Sequence, residues 1–403
     1  MKRIAIFCDG TWQREDQESP SNVARLASAL APVGEDGTAQ RGLYVRGVGA
    51  NGGEGLGGQI DRLAGGALGW GLDANIEAAY RALVRAYEPG DEVFVFGFSR
   101  GAYTARSLVG LIRRAGIMAP IHEGEAGEAM KLYRRRIAGD PGRDEQGRPR
   151  TVPDRPEFLR WRAARSPLTA TSSYEIAWRR ENGLRAPEEA TRLAFLGVWD
   201  TVGALGVPGH FTTAPLFNRR YEFHDTQLSS MVRRARHAVA VDERRLSFEP
   251  TLWTNTRELN LKDLGLPPGA DLSQVPPARL SYRQEWFPGD HGCVGGGLRR
   301  GLSSYALAWV AEGAAEAGLA LRPEAMAEVE RARNIRDDLS TLGSNVFARL
   351  WRLGDRIGPD AVGDVSGAVR ERLRAFADYA PGSLGRVLAL LRAEGVRPSA
   401  RPA

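Results

Sequence analysis

At 403 residues, 42% hydrophobic and 26% charged, the chain has globular composition and enough length for one large α/β domain with insertions or two smaller domains. No apolar stretch approaches a membrane span, and two cysteines, Cys8 and Cys293, make neither a disulfide framework nor a zinc site. The formal net charge of +6 includes the runs Arg134–Arg136 and Arg233-Arg234-Ala235-Arg236, but no basic stretch interleaves aromatics as base-stacking surfaces do, so no nucleic-acid partner is expected.

Met1-Lys2-Arg3 precedes an apolar core, Ile4–Phe7, that is too short for a secretory leader, and Asp9 interrupts it. The expectation is a protein made in the cytoplasm, with any export by a route that leaves no cleavable leader. A first strand is read over Arg3–Phe7. A helix follows from Ser21–Asn22 to Leu30, and either opening residue can cap it. Leu43–Gly47 reads as a second strand. The glycine-rich stretch Gly47–Gly71 suits a mobile loop near a site or close backbone packing; without a closing Gly-Lys-Ser/Thr it is a poor phosphate loop. Ile76, Ala79, Tyr80, Leu83 and Val84 fall at helical spacing and predict a helix over Asp73–Tyr87, ended by Pro89-Gly90.

The run Val93–Phe96 meets Gly97-Phe98-Ser99-Arg100-Gly101, and a helix-compatible segment, Ala102–Leu111, follows at once. Residues 121–190 are charged, arginine-rich and broken by proline and glycine; they read as a helical insertion over the sheet's functional edge, or lid. Leu193–Trp199 is a strand. Thr226–Arg236 reads as a helix, Ala238–Val241 and Tyr282–Phe287 as strands, and Leu302–Ala317 as a helix. From Arg322 the tail reads as mostly helical and basic, with Arg397–Ala403 disordered. Strands alternating with helices predict an α/β fold, a mostly parallel sheet with helices on both faces whose ligands sit beyond the carboxyl ends of the strands. The implied organisation is a domain over 1–320, with 121–190 as its insertion, and a helical extension over 321–403.

The five residues Gly97–Gly101 stand in the strand–turn–helix context of a nucleophile elbow. A turn sharp enough to lift a serine hydroxyl clear of the sheet leaves no room for a Cβ two residues to either side. The bland alternative is a serine that caps an ordinary helix. A serine needs a base, and the base needs an orienting acid. Asp200 closes the apolar strand Leu193–Trp199 at the right edge; its bland alternative is a turn cap. Five histidines compete: His122, His210, His224, His237 and His291. Only His291 combines chain order, a strand-to-loop position and flanking glycines. Arginines around His237 would disfavour its protonation. An oxyanion needs two backbone N–H groups. Arg100 supplies one, and Gly10 or Thr11, after the first strand, the other. Asp9 either binds loop amides or is a rival acid. Cys8 and Cys293 lie beside these residues and read first as small buried side chains.

Together, Phe7-Cys8-Asp9-Gly10-Thr11-Trp12, Gly97–Tyr103, Gly197–Gly203, Ala240–Arg245 and Trp286–His291 resemble the domain-of-unknown-function 2235 family. That family includes the catalytic domain of one class of type VI secretion phospholipase effectors. The resemblance runs from the first strand to about Ala317 and extends more weakly to Tyr379–Leu384. It implies an α/β-hydrolase-like fold, with a Ser–Asp–His triad on Ser99, Asp200 and His291 and an acyl-enzyme. It also implies hydrolysis of phospholipid or other lipid esters at a membrane surface, with a secretion-system or immunity protein as partner. No cofactor or metal is called for. The family follows its histidine with Ser-Asp-Val-Gly-Gly-Gly, whereas here Gly292-Cys293-Val294 stands, so Cys293 replaces an aspartate. That departure keeps open a catalytically impaired or purely binding member of the fold, unless Asp290 compensates.

Overall fold

Six runs of strand length become β1 (Arg3–Cys8), β2 (Gln40–Val45), β3 (Glu92–Phe98), β4 (Leu193–Trp199), β5 (Val232–Ala240) and β6 (Tyr282–Phe287). The computed structural model describes residues 1–10, 13, 19–47, 67–135, 152–203, 227–297, 300–340 and 353–397. The strands form one sheet of order β2-β1-β3-β4-β5-β6, and every neighbouring pair is parallel. The chain steps outward from β1 to β2, then returns to β3 on the other side. All carboxyl ends therefore share one edge, with a switch point between β1 and β3. The register aligns those ends: Cys8 pairs with Gly97, Phe98 with Trp199, Trp199 with Ala238, and Ala240 with Phe287.

The helices are α1 (Asn22–Ala29), α2 (Ala67–Ala86), α3 (Arg100–Ala115), α4 (Ala126–Arg134), α5 (Pro156–Arg165), α6 (Ser173–Glu181), α7 (Thr256–Asp263), α8 (His291–Gly295), α9 (Arg300–Glu316), α10 (Pro323–Arg331), α11 (Gly367–Ala375) and α12 (Leu388–Ala393). Side chains alternate across the sheet. Ile4, Ile6, Val93 and Val95 pack against α2 and α3. Ala5, Phe7, Phe94 and Phe96 pack against α1 and α9. Both faces are covered, so β1 and β4 are buried throughout and are apolar except at Arg3, whose guanidinium pairs with Asp36 and with Glu92 at 3.2 Å. Each large side chain so buried contributes about 1.5–3 kcal/mol. Ser21 caps α1, its hydroxyl accepting the Ala24 N–H at 3.1 Å. No helix among the described residues is long and apolar enough to cross a membrane.

Several boundaries differ from the sequence reading. β2 begins at Gln40, and α2 begins at Ala67, before Asp73. The helix expected over Thr226–Arg236 is not there in its described part: Val232–Ala240 is the inner strand β5. Its arginines suggested a solvated helix face. Instead, Arg236 is 3% exposed and reaches Glu312 at 2.8 Å and Glu316 at 2.9 Å on α9. A polar strand is tolerated because a neighbouring helix answers its charge. The tail is less helical than expected, with α10, α11 and α12 joined by irregular chain; residues 398–403 of the expected disordered end lie outside the described residues.

The later part of the insertion, α5 and α6, also sits differently, whereas α4 ends beside the first turn of α3, where Arg134 donates to the Tyr103 hydroxyl at 3.1 Å. The Arg162 guanidinium donates to the Arg114 carbonyl at 2.9 Å, the Ser166 hydroxyl to that of Ala115 at 2.8 Å, and the Thr169 hydroxyl to that of Ile117 at 3.1 Å. These contacts hold α5 and the loop after it at the carboxyl end of α3, a helix about 24 Å long whose other end follows Ser99. A buried Arg162–Glu175 pair at 2.7 Å locks α5 to α6, and Arg179, paired with Glu175 within α6, donates to the Thr169 carbonyl at 2.9 Å. These parts do not lie over the functional edge; residues 136–151, also in the expected lid, are outside the described residues.

The extension is part of the same body. Val365, Val369, Leu373, Tyr379 and Leu384 pack on Val239, Val241 and Trp286. Asp242, just past β5, accepts the Gly289 N–H at 2.7 Å and the Tyr379 hydroxyl at 2.9 Å. Burial pushes its carboxyl up to about 6. A raised carboxyl binds protons more tightly in the folded chain, so its burden on stability grows as pH climbs from about 4 and is full above about 6. Asp242→Asn keeps an acceptor for both donors. It is expected to stabilise the protein at pH 8 by up to about 3 kcal/mol, with the gain gone at pH 4. Urea unfolding at the two pH values measures the difference.

Candidate active site

β3 ends at Phe98 and α3 begins at Arg100, so one residue makes the turn. That residue, Ser99, has φ +56° and ψ −122°. A Cβ on Gly97 would stand 2.4 Å from the Gly101 carbonyl oxygen, and one on Gly101 would stand 2.1 Å from the Cys8 carbonyl oxygen. Both are distances no side chain can occupy, so glycine is required on each side of the turn. The Ser99 side chain makes no capping bond to α3. Its Oγ lies 2.8 Å from His291 Nε2 instead.

His291 opens α8, directly past β6. Asp290 caps that helix, Oδ1 accepting the Cys293 N–H at 2.9 Å, and also accepts the Ser340 hydroxyl at 3.1 Å. The imidazole sits between Phe98 and Phe248, with centroids 4.7 and 4.9 Å away. Its backbone N–H donates to Glu243 at 3.2 Å. Nδ1 lies 2.5 Å from Asp200 Oδ2. Asp200 directly follows β4, with φ +35° and no exposed surface. Among the described residues, Ser99 and Asp200 are the non-glycine positions with positive φ. Backbone strain of this kind collects at functional sites.

Asp200 Oδ1 accepts the Ala240 N–H at 2.9 Å, and Arg356 contacts Oδ1 at 2.7 Å and Oδ2 at 2.9 Å. Burial alone would raise this carboxyl. The Arg356 guanidinium and the His291 ring overcome it and hold the group below the usual carboxylate range. Asp200 has no exposed surface, whereas Ser99 is 7% exposed and His291 6%.

The structure thus brings Ser99, His291 and Asp200 into one hydrogen-bonded line. Such a line can move a hydroxyl proton to Nε2 while the carboxylate holds Nδ1–H. Arg100 opens α3, so its N–H belongs to a helix amino terminus, where positive charge gathers. Gly10 is placed otherwise than expected. Its N–H donates to Asp9 Oδ1 at 2.7 Å, and a Cβ there would meet Phe98 at 2.9 Å. The glycine lets the loop lie on Phe98, and its amide is turned to Asp9. Thr11 lies outside the described residues.

Asp9 also accepts the Ser21 hydroxyl at 2.7 Å and that of Tyr44. Burial pushes its carboxyl up despite these donors. It ties the loop after β1 to α1 and β2, the loop-binding alternative. Burial pushes the Cys8 thiol up to about 12, and the Cys293 thiol higher still. The Cys293 sulfur lies 3.5 Å from the Asp338 carbonyl oxygen. His237 accepts the Thr201 N–H at 3.2 Å, and its other nitrogen lies 2.9 Å from Gln284 Oε1. Burial first, then Arg106, pushes it down to about 3, so it is a neutral structural ring. His122 pairs with Glu125 at 2.9 Å; His210 and His224 lie outside the described residues. A cavity of about 940 Å³ between Arg3, Ala31, Trp309 and Leu319 includes none of the site residues in its lining.

Sequence reasoning missed Arg356 and Glu243. The second could have been suspected from the acidic pair Asp242-Glu243 at the end of β5. The first stands in an irregular segment with no local signal.

A parallel sheet with a serine on a strained strand-to-helix turn, backed by an imidazole and a carboxylate, is an α/β-hydrolase-like architecture. Residues 2–313 match the family model of the type VI secretion Tle1-like phospholipase effector, catalytic domain, and the chain belongs to that family. A curated relative, the uncharacterized protein YEL023C of Saccharomyces cerevisiae, is 26% identical over 261 residues, covering 63% of this chain and 33% of the relative. An uncharacterized protein from Pseudomonas aeruginosa has a similar crystal structure, with TM-score 0.38, 20% identity, and coverage of 81% of this chain and 48% of that one. The Tle1 effector bound to the VgrG spike of the type VI secretion system gives TM-score 0.35, 18% identity, and coverage of 75% and 52%. The chain spans about a third of the yeast relative and about half of each solved chain.

Proposed function

We propose that the chain is a serine hydrolase that cleaves carboxylic ester bonds of phospholipids or other lipids. The observation that carries the reading is the continuous line Asp200–His291–Ser99, with contacts of 2.5 and 2.8 Å, at a glycine-flanked turn. Ser99 Oγ attacks the ester carbonyl as His291 Nε2 takes its proton. The developing oxyanion meets the Arg100 N–H and a second amide of the loop after β1, for which Thr11 is the remaining candidate. His291 returns the proton to the departing alcohol, leaving an acyl-enzyme. Water, deprotonated by the same imidazole, releases the acid and restores the serine. Asp200 keeps Nδ1–H pointed inward throughout and stabilises the imidazolium.

Membership of a phospholipase effector family supports lipid as the substrate class. The solved Tle1 complex with a VgrG spike supports a secretion-system component as partner, and a lipid substrate entails transient contact with a membrane surface. The purely binding alternative drew on Cys293. Its sulfur lies against the Asp338 carbonyl rather than between imidazole and acid, which favours the catalytic reading.

The test uses phosphatidylethanolamine–phosphatidylglycerol vesicles and a fluorophosphonate probe. Fatty acid or lysolipid release, with probe attached to Ser99, is the expected result. Silence in both assays would leave the binding alternative standing.

A further inference from the structure

We infer that Arg356 is a positioning residue of this centre: the carboxyl-terminal extension delivers its guanidinium to Asp200, where it fixes the carboxylate and tempers the charge that Asp200 presents to His291. This rests on the Ser99–His291–Asp200 reading above. Arg356 lies beyond residue 313, where the family match ends.

Geometry carries the inference. Nη1 and Nη2 meet Oδ1 and Oδ2 at 2.7 and 2.9 Å, the two parallel contacts of an arginine fork. The guanidinium also donates to the Ala240 carbonyl at 3.1 Å and to that of Phe248, whose ring packs edge-on against His291. Its side chain is 1% exposed. Two further bonds moor the segment: Leu353 bridges to Arg245, and the Gly354 N–H donates to the Arg244 carbonyl at 2.9 Å. The fork thus spans β4, β5 and the turn carrying Phe248. Remove it, and Asp200 keeps the Ala240 N–H and the imidazole as its partners.

Charge gives the second consequence. The groups facing the pair are Arg356 from the extension, Glu243 and Glu249 from the chain after β5, and Asp290 at the cap of α8. Neutral His237 faces it from β5, and Arg106 from α3 stands behind His237. Glu243 is itself paired with Arg245 at 2.6 Å. Among the described residues, Arg356 is the cation in direct contact with Asp200. Without it, the whole carboxylate charge bears on the imidazole, which then holds its second proton to higher pH. The titration belongs to the pair.

Full-length Arg356→Met and Arg356→Lys test this. In Arg356→Met, the acidic limb of the kcat/KM profile moves up by about 1–3 pH units. Its plateau kcat falls by roughly a hundredfold through misplacement, with KM little changed. Arg356→Lys restores the limb, because charge survives, and leaves kcat below wild type, because the fork does not. A merely structural arginine would lower amplitude at every pH and move no limb. An unmoved limb in Arg356→Met, or a full kcat in Arg356→Lys, overturns the inference. If the methionine variant does not fold, Arg356→Gln, which keeps a polar donor without the charge, reads the limb in its place: a limb moved up supports the role, and an unmoved limb refutes it. NMR titration of the His291 ring in Arg356→Met, without substrate, separates the two readings. Absence of turnover in the wild type would sink the hydrolase; absence of an upward shift in the ring's titration would sink this role for Arg356.

Discussion

Ser99→Ala is expected to abolish ester hydrolysis, a loss on the order of 10⁶ in kcat, while the fold survives. In the proposed mechanism the hydroxyl is the atom that attacks, and the acyl-enzyme cannot form without it. Neither β3 nor α3 depends on it, because the Ser99 side chain makes no capping bond to the helix. Alanine keeps the Cβ and with it the strain of φ +56°. Ser99→Gly removes that Cβ and relieves strain of about 1–3 kcal/mol, against the roughly 0.5–1 kcal/mol that glycine costs in chain entropy. Both variants should lack turnover, and the glycine variant should melt no lower than the alanine one. Vesicle hydrolysis and a thermal melt of each read the two effects. Undiminished turnover in Ser99→Ala ends the assignment. A glycine variant that melts well below alanine shows that the turn is not strained.

The strand ends were legible because a parallel sheet makes position along the chain equivalent to position at an edge. Phe98-Ser99 and Trp199-Asp200 each end an apolar run, Phe287 ends the mixed strand that leads to His291, and register brings the ends together. The glycines at 97 and 101 were legible for a steric reason that is local. What escaped depends on contacts between distant segments. The first part of β5, up to Arg236, reads as helix because the partners of Arg236 lie on α9, more than seventy residues away, whereas its end at Ala238–Ala240 is legible as strand. The insertion was read as a lid from composition alone, and composition does not say which end of α3 a segment will pack on. Gly10 was expected to free an amide, but its neighbour's carboxylate takes it. Arg356 could not be singled out by pattern: its segment has no periodicity, and its partner lies 156 positions earlier.

Asp200→Asn tests that long contact together with the acid. At Oδ1 the side chain faces two donors, the Ala240 N–H and Arg356 Nη1. They orient the new amide so that its oxygen takes that place and its NH₂ takes the place of Oδ2. The NH₂ then faces His291 Nδ1, which must accept, and the ring proton moves to Nε2. An imidazole that carries its proton toward Ser99 is no base, and kcat is expected to fall on the order of 10⁴-fold. The same NH₂ faces Arg356 Nη2 as donor against donor, and the buried guanidinium loses its counter-charge. Removing one partner of a buried pair costs about 3–5 kcal/mol. Asp200→Asn should therefore lose both activity and stability, measurable as turnover and as a urea midpoint. The double variant Asp200→Asn/Arg356→Met separates the two losses. With both charges gone, much of the stability returns, whereas turnover does not, because the tautomer is still wrong. If activity returned along with stability, Asp200 would serve only to neutralise an arginine, and the carboxylate would drop out of the proposed chemistry.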